Sequence, residues 1–298
     1  MADITLLDGS IGQEIVNRSE DRATPLWSTA VMMENPEIVA DVHRDYFKSG
    51  ATIATTNTYA VHRDRLRPEN LEDQFDLLLD NAMTMAEQAR RSYSSARIAL
   101  SLGPLVASYR PETCPIPEIA ESLYREIISK LADRADIVVA ETMSSLRQAE
   151  GALRAMQGSE KLNWVAMTVD DFDGTKLRSG EPLSHMQSLV DLYQPDALLI
   201  NCSRPEAVSA ALEILNEFGK PFGAYANGFT KITKEFLVDS ATIEALHERD
   251  DLGPEAYGDF AMGWVAQGAT IIGGCCEIGP DHISEIARRL KEGGHSIR

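Results

Sequence analysis

The stretch DALLINCSRPEAVSAALEILNEFGKPFGAYAN, residues 196–227, carries the reading of the fold. Asp196–Cys202 and Pro221–Asn227 are short β-rich apolar runs. The segment between them, Pro205–Phe218, has helical period and opens on a proline, which a first helical turn tolerates. Strand, helix and strand in this order form a βαβ unit and predict a parallel sheet. The same alternation extends in both directions. Strands are expected at Ile4–Asp8, Ala51–Tyr59, Arg97–Leu105, Asp136–Thr142, Asn163–Val169, Asp196–Cys202, Pro221–Asn227 and Ala269–Cys275. Helices are expected at Pro36–Lys48, Glu69–Arg91, Pro117–Arg134, Ser145–Gln157, Pro182–Gln194, Pro205–Phe218, Pro254–Gln267 and Pro280–Lys291. Their apolar residues recur at helical spacing, as in Leu71, Phe75, Leu78, Leu79, Ala82, Met85, Ala86 and Ala89, or Ile119, Leu123, Ile127 and Leu131. Eight such pairs in 298 residues match a (β/α)8 TIM barrel in number and length. An open doubly wound sheet would give the same local pattern. No Pro/Ser-rich linker or charge block marks a boundary, so residues 1–298 read as a single domain.

The links from helix to strand are short (Ser49-Gly50, Ala135, Pro195, Gly268), and those after the first and seventh strands are long. Function is expected on the long-loop face, which in a barrel is the C-terminal end of the strands.

Composition narrows the partners. With 46 Asp and Glu against 28 Lys and Arg, the net charge is −18, which repels a phosphate backbone or an anionic leaflet over most of the surface. Nucleic acid and membrane surface are poor expectations. Met1-Ala-Asp-Ile-Thr5 has no basic leader character, and the uncharged stretches are too short and Gly-rich to span a bilayer, so a cytoplasmic protein is expected. Four cysteines, Cys114, Cys202, Cys275 and Cys276, are too few for a disulfide framework. They are expected to be reduced and either structural or metal-binding.

The residues at or near the ends of the expected strands are Asp8, Asn57, Tyr59, Glu141, Cys202, Asn227, Cys275 and Cys276. In a barrel, strands six and eight flank strand seven, so Cys202, Cys275 and Cys276 can converge. Three thiolates around an open position suit zinc. Gly273-Gly274 before the last two would allow a sharp turn and a close backbone approach. Free cysteine also packs as a small buried apolar residue, and spacing alone does not choose between the two. Cys114, in a Pro-rich stretch, reads as incidental.

These positions resemble a known family. Asp8-Gly9, Leu26-Trp27-Ser28, His43 with Tyr46-Phe47 and Gly50-Ala51, Asn57-Thr58-Tyr59, Glu141-Thr142, Asn201-Cys202 and Gly273-Gly274-Cys275-Cys276 resemble, in order and over nearly the whole chain, the zinc-dependent homocysteine S-methyltransferases. The resemblance implies a (β/α)8 barrel with Zn2+ held by Cys202, Cys275 and Cys276. It implies methyl transfer to the thiol of homocysteine, giving methionine, from a small sulfonium or quaternary ammonium donor such as S-methylmethionine, S-adenosylmethionine or betaine. Asp8 and Glu141 would bind the substrate ammonium, and backbone N–H groups at Gly9 and Ser10 its carboxylate. Asn227 or Tyr59 would fill the fourth zinc position before substrate arrives. Trp27 would meet the donor cation with its aromatic face. Without the resemblance, an acidic residue after a strand reads as a helix cap or turn residue, and Trp27 as a loop anchor. His43 is given no role.

The chain departs from the family's usual pattern at Ser10, where Gly or Ala is common, and at the Gly-Phe-Thr that follows Asn227. A Schiff-base aldolase on the same barrel is rejected, since no expected strand ends in lysine. Another thiol or selenol acceptor, or a non-catalytic zinc- or thiol-binding protein, are the alternatives, and a homo-oligomer is left open.

Overall fold

The computed structural model describes residues 1–19, 26–238 and 245–298. Its strands are β1 (Asp3–Leu6), β2 (Ile53–Thr55), β3 (Arg97–Leu102), β4 (Ile137–Met143), β5 (Leu162–Met167), β6 (Ala197–Asn201), β7 (Phe222–Ala226), β8 (Ile271–Gly274) and β9 (Ser296–Ile297). The helices are α1 (Ile11–Arg18), α2 (Ser28–Glu34), α3 (Pro36–Ser49), α4 (Arg63–Leu66), α5 (Phe75–Arg90), α6 (Pro117–Leu131), α7 (Leu146–Met156), α8 (Gln187–Tyr193), α9 (Pro205–Glu217), α10 (Pro254–Ala266) and α11 (Pro280–Glu292).

Strands β2 to β8 pair in sequence order, every pair parallel, and β8 pairs with β1. The ring closes between β1 and β2, where the Thr52 N–H donates to the Leu6 carbonyl at 2.7 Å. A barrel therefore replaces the open-sheet alternative. The expected eight strands gain a ninth: β9 lies parallel to β1 at the lower end of this seam, with Asp3 opposite Ser296 and Ile4 opposite Ile297. The Thr52 hydroxyl donates to the Arg298 carbonyl on its other side, at 2.9 Å.

Alternation along the strands sorts the core into two shells. Ile98, Leu100, Val138, Val165, Leu198, Ile200 and Ile272 face outward and join helix residues such as Val39, Tyr46, Tyr124 and Trp264. Ala99, Ile137, Val139, Trp164, Ala166, Leu199, Tyr225 and Ile271 face inward and fill the barrel. The inward set is one residue out of phase with the outward set. That phase decides which polar residues face the axis near the C-terminal ends: Ser101, Glu141 and Tyr225.

Five helices carry proline in the first turn, as their sequence predicts. The helix expected from Pro182 starts later, at Gln187. Pro182 is bridged antiparallel to Lys176, and Leu183–Met186 form a 3-10 turn before the helix. The helix expected from Glu69 starts at Phe75, after two shorter turns. The strand expected over Ala51–Tyr59 stops at Thr55. Beyond it the Thr56 hydroxyl accepts the Ser101 N–H at 3.1 Å, and the Thr58 hydroxyl donates to the Ser101 carbonyl at 2.6 Å. These side chains substitute for the ladder and turn the chain, bringing Tyr59 to the barrel mouth.

At Gly223 on β7 the backbone of β8 comes so close that a methyl group would overlap the Ile271 carbonyl oxygen. Gly223→Ala is expected to lower stability by about 2 kcal/mol or more, since neither strand can retreat within a closed ring. Urea unfolding reads this as a lower midpoint at unchanged slope, and a wild-type midpoint would refute the tight approach.

Candidate active site

Cys202 follows β6 directly, and Cys275 and Cys276 follow β8. The β7 register places Asn201 opposite Tyr225, and Ala226 opposite Gly274, so the two strand ends stand level across β7. The Cys202 N–H donates to the Tyr225 carbonyl, and the Cys275 N–H to that of Ala226. The three sulfurs lie within 4.8 Å of one another. Cys202 and Cys275 are joined as a disulfide, with Cα atoms 5.7 Å apart. The expected free thiols are present at Cys114 and Cys276, and a metal held by all three site cysteines requires the Cys202–Cys275 pair in its reduced form. The strand ends set that Cα separation, which is within the usual disulfide range. Cys276 and Cys114 are free and buried. Burial, reinforced by the charge of Glu277, pushes the Cys276 thiol up to about 12. Without a cation beside it, this sulfur is protonated at neutral pH.

Two buried carboxylates face the same space. Asp8 accepts the Thr55 N–H at 2.6 Å on one oxygen and the Thr55 hydroxyl at 2.8 Å on the other. Burial raises its pKa to about 7, the charge of Glu141 adds to this, and the Thr55 hydrogen bonds oppose it. Glu141 accepts from the hydroxyls of Ser101 and, at 3.1 Å, of Tyr225. Burial raises its pKa too, against those two bonds. Two desolvated acids with raised affinity for a proton form a site for a ligand cation, which would favour the ionised form of both.

One cavity enclosing about 110 Å3 joins these groups. Asp8, Gly9, Ser10, Trp27, Tyr59, Glu141, Cys202, Cys275 and Cys276 all line it. Asn227 does not line it. Its Oδ1 accepts the Phe229 N–H at 3.2 Å, so that oxygen is engaged in the loop. The Ser10 N–H donates to the Ile278 carbonyl at 2.9 Å, which engages one of the two donors expected to meet a substrate carboxylate. Tyr59 shares a hydrogen bond of 2.8 Å with Ser108, and burial pushes its hydroxyl up to about 12. His43 is fully buried on α3, away from the cavity lining. Among the described residues, no Lys, Arg or His lines the cavity.

Several site residues fall outside the strand-end reading. Thr55, Ser101 and Tyr225 hold the carboxylates. They are visible in sequence once the inward phase of each strand is known, since Ser101 and Tyr225 alternate with outward apolar residues. Asn201 was read as part of a motif and has a definite task. Its Oδ1 accepts the Thr142 N–H at 2.8 Å and its Nδ2–H donates to the Thr142 hydroxyl at 2.9 Å. Thr142 follows Glu141 with φ of +62°, a conformation that needs such support. Tyr109, from the loop after β3, and Phe229 and Phe236, from the loop after β7, are further aromatic walls. Tyr109 and Phe236 meet edge to face at 5.9 Å, and nothing in their sequence context brings these distant loops together.

A barrel with one cavity lined by three converging sulfurs and a buried acid pair defines an enzyme-like site for a small ligand with a cationic group. The chain belongs to the homocysteine S-methyltransferase family, whose model matches residues 5–290. It is 29% identical to the homocysteine S-methyltransferase of Escherichia coli K12, over 96% of this chain and 95% of that one. It is 27% identical to homocysteine S-methyltransferase YbgG of Bacillus subtilis, over 95% and 93%. The crystal structure of the E. coli homocysteine methyltransferase MmuM in its metallated form superposes with a TM-score of 0.81 at 28% identity, covering 96% of each chain. The chain is accordingly a methyltransferase acting on homocysteine. Among the described residues, no helix is long and apolar enough to cross a membrane.

Proposed function

We propose that the enzyme transfers a methyl group to homocysteine from a small sulfonium or quaternary ammonium donor, with a zinc ion held by Cys202, Cys275 and Cys276. The observation that carries this reading is that the cavity lined by the three sulfurs also holds Asp8 and Glu141. Three soft sulfur donors within 4.8 Å of one another fit zinc, and the E. coli relative has a metallated form. Zinc bound there supplies a Lewis acid that keeps the homocysteine sulfur deprotonated at neutral pH, where a free thiol of pKa about 8.5 is mostly protonated.

The chain's own residues supply binding and orientation. Asp8 and Glu141 take the homocysteine ammonium, and Thr55, Ser101 and Tyr225 fix the direction of the carboxylate oxygens. With the amine anchored there, the thiol end of the substrate extends towards the cysteines. Among the described residues the cavity has no basic side chain, which disfavours anionic donors and admits a cation, and Trp27 and Tyr59 can meet it with their ring faces. Of the two candidates for the remaining metal position, Tyr59 lines the cavity and Asn227 does not. Homocysteine, rather than another thiol or a selenol, is the acceptor of this reading.

Reduced, zinc-replete protein is incubated with homocysteine and S-methylmethionine, S-adenosylmethionine or betaine in turn, and methionine and the demethylated product are detected by mass spectrometry. Methionine with one matching by-product is the expected result. No methionine from any of the three, with zinc bound, would overturn this choice of donors.

A further inference from the structure

We propose that Arg178, held by Asp171, is a positioning residue of the methyl-transfer site: it sets the backbone of Cys202 and fastens the loop after β7 over the cavity. Cys202 has φ of +47°, left-handed for a residue with a Cβ, so its conformation must be imposed by its surroundings. The restraint falls on its carbonyl, which accepts from the Thr168 hydroxyl at 3.1 Å and from Arg178 Nη2 at 3.3 Å. Arg178 Nε donates to the same Thr168 hydroxyl at 2.9 Å, which leaves that hydroxyl's own hydrogen free for Cys202. A guanidinium fork can serve both positions at once, and a lysine ammonium cannot reproduce its planar geometry.

The same guanidinium organises the roof. Nη2 donates to Asp171 Oδ1 at 2.8 Å, and the other Asp171 oxygen accepts the Ile232 N–H at 2.8 Å. Ile232 belongs to the loop after β7, which contributes Phe229 and Phe236 to the cavity wall. Arg178 also stands 4.9 Å from the ring centre of Tyr109, the wall residue from the loop after β3. The Arg178 and Asp171 side chains are only 10% and 8% exposed. Replacing such a buried pair by apolar groups is often neutral for stability, so what the pair supplies is geometry. Cys202, the roof loop and Tyr109 thus share one anchor, and the thiol cluster and the closed cavity form together.

This role rests on the reading of Cys202 as a metal ligand. The test compares wild type, Arg178→Met, Arg178→Lys and Asp171→Asn. Zinc affinity is measured by chelator competition, homocysteine KM and kcat by steady-state kinetics, and cleavage after Lys231 and Lys234 by limited trypsin digestion. Both Arg178 variants are expected to bind zinc about 10- to 100-fold more weakly, the range known for groups that orient metal ligands. They are also expected to be cut faster in the loop after β7, and Arg178→Met, which leaves Asp171 buried without its partner, to unfold at a lower midpoint than wild type. Wild-type zinc affinity in folded Arg178→Met, or full rescue by lysine, would overturn the proposal. Should Arg178→Met fail to fold, Asp171→Asn decides, because faster cleavage and weaker zinc binding are expected there with the guanidinium retained. Wild type that binds no zinc would refute the metal reading by itself, whereas zinc-binding wild type with unaffected variants refutes only the role of Arg178.

Discussion

Cys202→Ser is expected to bind zinc more than about 100-fold more weakly than wild type and to lose methyl transfer at neutral pH. Altering groups that merely orient a ligand costs about 10- to 100-fold in metal affinity, so removing a ligand exceeds that range. A serine hydroxyl is a hard donor that stays protonated where a thiol ionises, so it leaves only two soft ligands for zinc. Homocysteine would then have to react from the roughly 3% of thiolate that a thiol of pKa about 8.5 holds at pH 7. Metal analysis of the purified variant, and its rate as a function of pH, check this. Residual activity should climb about tenfold per pH unit up to the thiol's own pKa. A metal-free wild type that transfers methyl groups at full rate would refute the role of the cysteines outright.

Asp8→Asn is expected to raise the homocysteine KM by about 10²- to 5 × 10³-fold and to leave the donor KM within a few-fold of wild type. The estimate follows from breaking one partner of a buried ion pair, which costs about 3 to 5 kcal/mol. In wild type the empty site titrates near pH 7, because burial and the charge of Glu141 outweigh the Thr55 hydrogen bonds. Only the ionised carboxylate attracts an ammonium, so the homocysteine KM should fall as pH rises towards about 7 and level above it. Stability runs the other way. The folded-state pKa is raised above the unfolded value, so between about pH 4 and pH 7 the folded chain holds a proton that the unfolded chain has released. This contribution is present in full below pH 4 and is lost as pH rises through 7. The asparagine variant, neutral throughout, should therefore unfold at higher temperature than wild type at pH 8 without substrate. Equal shifts in the two KM values, or a less stable variant at that pH, would count against Asp8 as the ammonium site.

Much of this site's layout is legible in the sequence. Short apolar runs alternating with proline-led helices predict the barrel, and a barrel puts the residues after strands six and eight on either side of strand seven. The convergence of Cys202, Cys275 and Cys276 is expected from that order, and Asp8 and Glu141 fall at strand ends by the same reading, whereas the roles given to all five come from the family resemblance. What could not be read depends on phase and on distant loops. Ser101 and Tyr225 require knowing which face of β3 and β7 points inward. Arg178 lies in an irregular loop with no period to mark it; its partners Thr168 and Asp171 belong to that same loop after β5, and Cys202 follows β6. The early end of β2 escaped because threonines favour strands, yet here their hydroxyls bond to the backbone and end one. The approach of Cys202 to Cys275 across β7 is expected from the strand order, whereas a bond between them is not, because convergence of three thiols reads equally as a metal site.

The seam at which β9 lies beside β1 bears on how copies of this enzyme can meet. Between β1 and β2 the gap is bridged by the Thr52–Leu6 bond above and occupied by Ser296–Ile297 below, so β3 to β8 and β1 each have strand neighbours on both flanks and no long free edge remains at the seam. A long strand with unused backbone donors and acceptors is a template for pairing with another chain, and closure removes that template. Any assembly of this barrel must then be built from helix faces or loops, through side chains, and is open to specificity by charge and shape rather than by backbone hydrogen bonding.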